Sequence, residues 1–315
     1  MQDYKTKIKS IIQQLDSRSW LNIGMLLFIL LLILLAFIEP GEKDTKQIVT
    51  LTNLKQADIK QIEIRRSNDE DITLRHKNDI WYMSSPYQLP ANDFRAQSAS
   101  ALAEIKSHLQ YNVSNINLKE FKLDKPEITI ILNDMVTLEI GGVDPINNRR
   151  YVKNGDTLHL VSNTFYYQLK GQITTYISYQ IIPPETEITK LILPKLTLTL
   201  ESGNWKLHPA QEDISADRIN EFLDEWQHAQ SLEISKYTGR KRKNDIQIYY
   251  KDQLQPIGFS LMKKQDSIFL VRNDLGISYK LSDEIAEKLQ KLPDPPEPPE
   301  SSTTPSTDGN TAAPD

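Results

Sequence analysis

Two stretches of the chain repeat each other. Residues 78–93 read NDIWYMSSPYQLPAND and residues 202–219 read SGNWKLHPAQEDISADRI. Trp81 matches Trp205, Pro86 falls beside Pro209, and LPAND matches ISADR. The correspondence continues outward. DIKQIEI (58–64) echoes EITKLIL (187–193), and EITIILNDMVTLEIG (127–141) echoes DIQIYYKDQLQPIGF (245–259). YVKN (151–154) echoes LVRN (270–273), and SNTFYYQL (162–169) echoes SDEIAEKL (282–289). One such block arises easily by chance, but collinear blocks in the same order do not. A duplication limits the fold more than any composition value, because both copies must use one order of elements. The copies are read as module 1, residues 49–183, and module 2, residues 184–292.

Apolar alternation places strands at 59–65, 71–76 and 79–83 in the first copy, and at 188–193, 196–201 and 204–208 in the second. KND and ESGN supply the hairpin turns before each Trp. A helix follows in each copy. Asn92 or Asp93 caps the first, with Phe94, Ala101, Leu102, Ile105 and Leu109 as its apolar stripe. Ser215 caps the second, with Ile219, Phe222, Leu223 and Trp226 as the stripe. Four strands come next, near 128–132, 136–140, 149–153 and 157–161, and again near 246–250, 256–262, 267–272 and 277–281. The NG at 154–155 suits a type I′ turn. Closing helices start at Ser162 and Ser282. The expected fold class is α+β: a single N-terminal transmembrane helix, then two tandem β3-α-β4-α modules with mostly antiparallel sheets. In this frame Trp81 and Trp205 are repeat markers, each a core aromatic between strand and helix. The competing reading of either is an exposed binding aromatic.

The transmembrane expectation rests on residues 20–38, WLNIGMLLFILLLILLAFI, which carry no charge between Ile23 and Ile38. At helical rise the stretch reaches about 28 Å, close to the hydrocarbon thickness of a bilayer. It ends in AFIEPGE, which lacks the small-residue cleavage site of a signal peptide. Lys5, Lys7, Lys9 and Arg18 precede it, and Glu39 and Glu42 follow. The positive-inside rule therefore puts the N-terminus in the cytoplasm and the body across the membrane, in a bacterium the periplasm. Residues 1–19, with Ile8, Ile11, Ile12 and Leu15 at helical spacing, are expected to lie as an amphipathic segment on the cytoplasmic surface. Residues 39–48 are the linker. Residues 293–315 read as a disordered, Pro-rich acidic tail.

The net charge of −5 belongs to that tail. Five of the 42 acidic residues lie there with no basic partner, which leaves 37 against 37 basic residues elsewhere. A balanced body argues against a nucleic-acid surface. The absence of cysteine excludes disulfides, thiolate catalysis and cysteine-held metals. The five histidines make no metal-binding spacing, there is no GxSxG or phosphate-loop pattern, and SHLQ and SLEI do not fit SxxK. No catalytic, cofactor or metal residue is expected, and the chain reads as a non-enzyme. The sharpest charged feature is GRKRKN, 239–244. Arg240, Lys241, Arg242 and Lys243 are the candidate contact for anionic lipid headgroups or an acidic partner, each charge adding about 1 kcal/mol near an anionic surface. The competing reading is a solvated loop.

W-x4-P-x3-PA(N/D) before a helix, L-x-IGG, and the hairpin RRYVKNGDTLHLV together resemble the bacterial domain-of-unknown-function family 4340. The resemblance spans roughly residues 49–292, with the IGG and RRYV segments most specific. The family pattern writes Asp in PAD, where this chain has Asn92 in one copy and Asp217 in the other. The resemblance implies an auxiliary component of ABC transporters of the gliding-motility type, with a permease and other membrane proteins as partners, and no catalytic residues. The expected function is a non-enzymatic periplasmic subunit anchored in the inner membrane through residues 20–38. The alternatives are an envelope structural or assembly factor unrelated to transport, and a periplasmic hydrolase.

Overall fold

A computed structural model describes residues 17–38, 49–211 and 214–293. Most of the expected cytoplasmic segment, the linker at 39–48 and the acidic tail from residue 294 lie outside the described residues. The chain divides into two compact units, with the boundary between Ile48 and Val49.

Among the described residues the first unit contains one helix, α1 (Ser17–Ile38). Every described side chain on it, from Trp20 to Leu35, is exposed, Leu and Ile included. These residues number sixteen, and among the described residues no helix is long and apolar enough to cross a membrane.

The second unit is mixed α+β, mostly strands, built on two antiparallel sheets. Its first sheet uses β1 (Gln61–Arg66), β2 (Ile72–Lys77), β3 (Ile80–Ser85), β4 (Leu89–Pro90), β5 (Ser107–Asn112), β6 (Ile128–Leu132), β7 (Val136–Val143), β8 (Arg149–Asn154) and β9 (Thr157–Ser162). The order is β4-β3-β2-β1-β6-β7-β8-β9-β5. The second sheet uses β10 (Ile188–Ile192), β11 (Thr197–Glu201), β12 (Asn204–His208), β13 (Glu233–Lys236), β14 (Ile246–Tyr250), β15 (Ile257–Lys264), β16 (Ser267–Arg272) and β17 (Ile277–Leu281). Its order is β12-β11-β10-β14-β15-β16-β17-β13. Apart from β4, each strand of the first sheet has a counterpart in the same place in the second. The helices are α2 (Asp93–Ser100), α3 (Tyr166–Leu169), α4 (Ala216–His228) and α5 (Asp283–Lys288).

The strands form where side chains alternate. β6 and β14 each bury every second residue: Ile128, Ile130 and Leu132 in one, Ile246, Ile248 and Tyr250 in the other. Burying an aliphatic side chain of this size stabilises by about 1.5–3 kcal/mol, so a one-residue slip in register is strongly disfavoured. The turns before the two Trp residues match in conformation. Asn78 (φ 50°) and Asp79 (φ 60°) join β2 to β3, and Ser202 (φ 52°) and Gly203 (φ 82°) join β11 to β12. Positive φ at both central residues is the type I′ pattern, whose twist suits a two-residue hairpin.

Several details depart from the sequence reading. Each copy carries a further strand after its main helix, β5 or β13, which pairs with the last strand of its sheet. The β3-α-β4-α formula therefore omits one strand in the second copy and two in the first, where the short β4 also precedes the helix. In the first copy the helix stops at Ser100 and a 3-10 turn, Ala101–Glu104, follows. Leu109 consequently lies in β5 and is exposed, as is Phe94, and the buried face is Ala96, Ala99, Ser100, Leu102 and Ala103. The apolar spacing of 101, 102, 105 and 109 imitated a helix because a 3-10 turn leading into an edge strand offers similar intervals. Ser162 belongs to β9 and caps nothing; α3 begins after Phe165. At the 154–155 turn only Gly155 has positive φ (55°), the pattern of a II′ turn, not I′. The caps at Asn92, Ser215 and Ser282 form as expected, each accepting a backbone N–H three residues on.

The core runs continuously through both sheets. Residues 176–182 contribute to it from both ends: Tyr176, Ile177, Ile181 and Ile182 are buried, while Tyr179 between them is exposed. The backbone there bonds in both directions. Asn92 N–H donates to Tyr176 C=O (2.8 Å), and Ile181 N–H donates to Ala229 C=O (3.1 Å). An ion pair between Lys236 and Glu70 (2.8 Å) also links the copies.

Candidate functional site

The basic run lies in the connection between β13 and β14, and Arg240, Lys241, Arg242 and Lys243 are all exposed. Its backbone is nonetheless held. Asn273 Oδ1 accepts from Arg242 N–H (3.1 Å), and Asn273 Nδ2 lies 3.1 Å from Arg242 C=O, 3.0 Å from Asn244 Oδ1 and 2.7 Å from Ser260 Oγ. Ser260 Oγ in turn donates to Lys243 C=O (2.7 Å), and Tyr237 Oη donates to Arg240 C=O (2.9 Å). Among the described residues no carboxylate lies within ion-pair distance of these four side chains. The loop therefore has a pinned backbone and four outward cations. An exposed cation without a partner keeps its full attraction for an external anion, and a held backbone lowers the ordering cost of binding.

The two Trp residues sit on equivalent strands in different surroundings. Trp81 is 6% exposed and packs in the core, with its ring 4.9 Å from His76. β4 runs along its strand, and Ala91 N–H donates to Trp81 C=O (2.7 Å). Among the described residues no strand covers β12, so Trp205 lies on the sheet edge, half-buried, and lines a shallow cavity with Glu187, Leu223 and Asp224. The core reading therefore describes Trp81 fully and Trp205 in part.

Motif reading passed over a second constellation, although IGG and RRYV mark it. β7 bulges at Gly141 and Gly142, where its register against β8 shifts. The 3-10 turn Leu118–Phe121 crosses close above, so that a Cβ on Gly141 would stand 2.5 Å from Phe121 C=O. Arg150, on β8, is 7% exposed. Its Nη1 donates to Gly141 C=O (2.7 Å) and its Nε to Asn163 Oδ1 (2.6 Å). The guanidinium carbon lies 3.4 Å from the centre of the Tyr166 ring. Burial pushes the Arg150 pKa down, and only partly opposing this are Tyr166 and Glu127. Tyr166 donates its hydroxyl to Glu127, which also pairs with Lys170 (2.7 Å). The Lys170 contact, then that from Tyr166, hold the Glu127 carboxyl below the usual carboxylate range. These groups line a cavity of about 360 Å³ together with Lys122, Lys125 and Glu120.

The histidines are dispersed over β2, β5, β9, β12 and α4. Among the described residues no three His, Asp or Glu side chains converge as a metal site would require.

No curated protein and no solved structure matches the chain. The model of the family described as Domain of unknown function (DUF4340) matches residues 81–248. The match begins at Trp81, takes in the Arg150 cavity and the basic loop, and ends within β14. Because it covers more than half of the chain, the protein belongs to the DUF4340 family.

Proposed function

We propose that this protein is a non-enzymatic, single-span subunit of the bacterial inner membrane. Residues 20–38 anchor it, the α+β body stands in the periplasm, and the body works beside an ABC-type permease. The observation that carries the reading is α1, whose described side chains, Asn22 apart, are apolar and exposed around the whole circumference. An apolar surface of that kind is stable in lipid and costly in water. Support for the orientation comes from the Lys and Arg residues that precede the run, against the Glu residues that follow it. Support for a contact role comes from the pinned loop and its four outward cations, Arg240 to Lys243, which suit an acidic partner or anionic headgroups. Transport as the process is an inference from family resemblance alone.

The cysteine-free chain allows a direct test. A single cysteine replaces Leu254, which is 98% exposed. Intact cells are then treated with a membrane-impermeant maleimide. Labelling without lysis, with the protein retained in carbonate-washed membranes, is the expected result. Labelling only after lysis, or release of the protein by carbonate, would sink the reading. Recovery of a permease in mild-detergent pull-downs, lost when residues 240–243 are changed to Gln, tests the partner. Recovery of envelope assembly proteins without a permease would favour the structural alternative.

A further inference from the structure

We propose that the cavity around Arg150 binds a small anionic group, a carboxylate or a phosphate. Arg150 is the anchor, Lys122 and Lys125 are the cations at the mouth, and Tyr166 is the aromatic wall.

The first argument is an imbalance of partners. Arg150 is more than nine-tenths buried, yet its hydrogen-bond acceptors are a backbone carbonyl and an amide, and among the described residues no carboxylate stands within ion-pair distance. A buried cation is ordinarily paired, because neutral acceptors and an aromatic face only partly replace its hydration. The carboxylates on the cavity wall are already engaged. Glu127 is held by Lys170 and Tyr166, and Glu120 accepts from Asn117 Nδ2 (3.1 Å). With Nε and Nη1 engaged, Nη2 is the guanidinium nitrogen left for an external acceptor, and its planar N–H groups suit carboxylate and phosphate oxygens.

The second argument comes from the duplication. Both copies build the same strand order. In the collinear blocks Phe269 stands where the first copy has Arg150, and Ala286 stands where it has Tyr166. The topology therefore forms without the cation and its ring. On the counterpart strand the second copy buries Arg272, 5.6 Å from the Phe259 ring, but Asp274 pairs with it (2.6 Å). Arg150 has no such partner among the described residues, and it stands where the wall opens into a cavity. The constriction at Gly141 has a matching use. It brings the turn that carries Lys122 over the strand whose carbonyl orients Arg150.

Calorimetric titration of the full chain in detergent, at low and constant ionic strength, tests the site with two probes, inorganic phosphate and succinate. Saturable binding of at least one probe is expected. Arg150→Lys, which keeps the charge and removes the fork, should weaken it about tenfold, and the surface pair Lys122→Gln/Lys125→Gln several-fold. The surface pair keeps the test valid if the Arg150 variant folds poorly. Phosphate alone identifies a phosphoryl group, succinate alone a carboxylate, and both a general anion cradle. Absence of saturable binding by either probe overturns the proposal. So does a loss in a Gln variant of residues 240–243 equal to that in the surface pair, since binding would then belong to the loop. The outcome is independent of membrane anchoring.

Discussion

Asn273 grips Arg242 from both sides: its Oδ1 accepts the Arg242 N–H and its Nδ2 donates to the Arg242 C=O, each at 3.1 Å. The amide side chain thereby acts as one rung of a strand, and it holds the basic loop where the backbone has no sheet partner. Asn273→Ala should release the loop while lowering global stability by only about 1 kcal/mol, since exposed hydrogen bonds contribute little net energy. Hydrogen exchange is the measurement. Faster exchange at the Arg242 amide with β14 protection unchanged is expected, and an unaltered Arg242 rate would show that Asn273 does not hold the loop.

The equivalent tryptophans should separate on truncation. Trp81→Ala opens a buried cavity and should cost about 3–5 kcal/mol. Trp205, half-exposed on an uncovered edge, should cost clearly less. Urea unfolding of the two variants decides the point, and equal losses would contradict the difference in burial.

Adjacent glycines should behave differently. Gly141→Ala drives a Cβ to 2.5 Å from Phe121 C=O and 2.9 Å from Leu123 Cγ, so backbone must move. Gly142→Ala meets its nearest atom at 3.4 Å and has room. Thermal melting should show a drop of several degrees for the first and little for the second, as backbone displacement of this kind costs about 1–3 kcal/mol. Similar melting temperatures would mean that the turn above Gly141 yields freely.

Tyr250 Oη is buried and has no hydrogen-bond partner among the described residues. Burial pushes its pKa upward, so the hydroxyl stays neutral and uncompensated. Tyr250→Phe removes the orphan group and keeps the ring, and it should raise stability by about 1 kcal/mol. A decrease in the urea midpoint would reveal that the hydroxyl has a role in the native state.

His159 supplies a pH dependence. It is buried on β9, with Nδ1 3.1 Å from Ser107 Oγ, and burial lowers its pKa from the usual imidazole value. The unfolded chain therefore takes up a proton near pH 6.5 while the folded chain resists it. Stability is full above about 6.5 and falls as the pH drops towards the lower folded value, with a limiting slope of about 1.4 kcal/mol per pH unit. Urea midpoints at pH 7.5 and 5.5 should differ in the native chain and differ less in His159→Gln. Equal pH dependence in both would remove His159 as the cause.

Local pattern and tertiary contact divided this protein between them. The order of strands, the hairpin turns before Trp81 and Trp205, and the stripe Ile219, Phe222, Leu223 and Trp226 follow from the sequence, because period and turn chemistry act over a few residues. The duplicated blocks likewise reappear as two sheets of one order. Strands β5 and β13 were not legible, because an edge strand is formed by its neighbour's free N–H and C=O groups and needs little apolar alternation of its own. Arg150 could not be assigned from RRYV, since its significance lies in Tyr166, Asn163 and Gly141 arriving around it from other elements. The basic run was visible as composition, but its pinning by Asn273 and Ser260 was not. Sequence carries the short-range terms of the energy. Which groups end up buried, paired or left without a partner is settled only when distant segments pack, because desolvation depends on everything that surrounds a side chain.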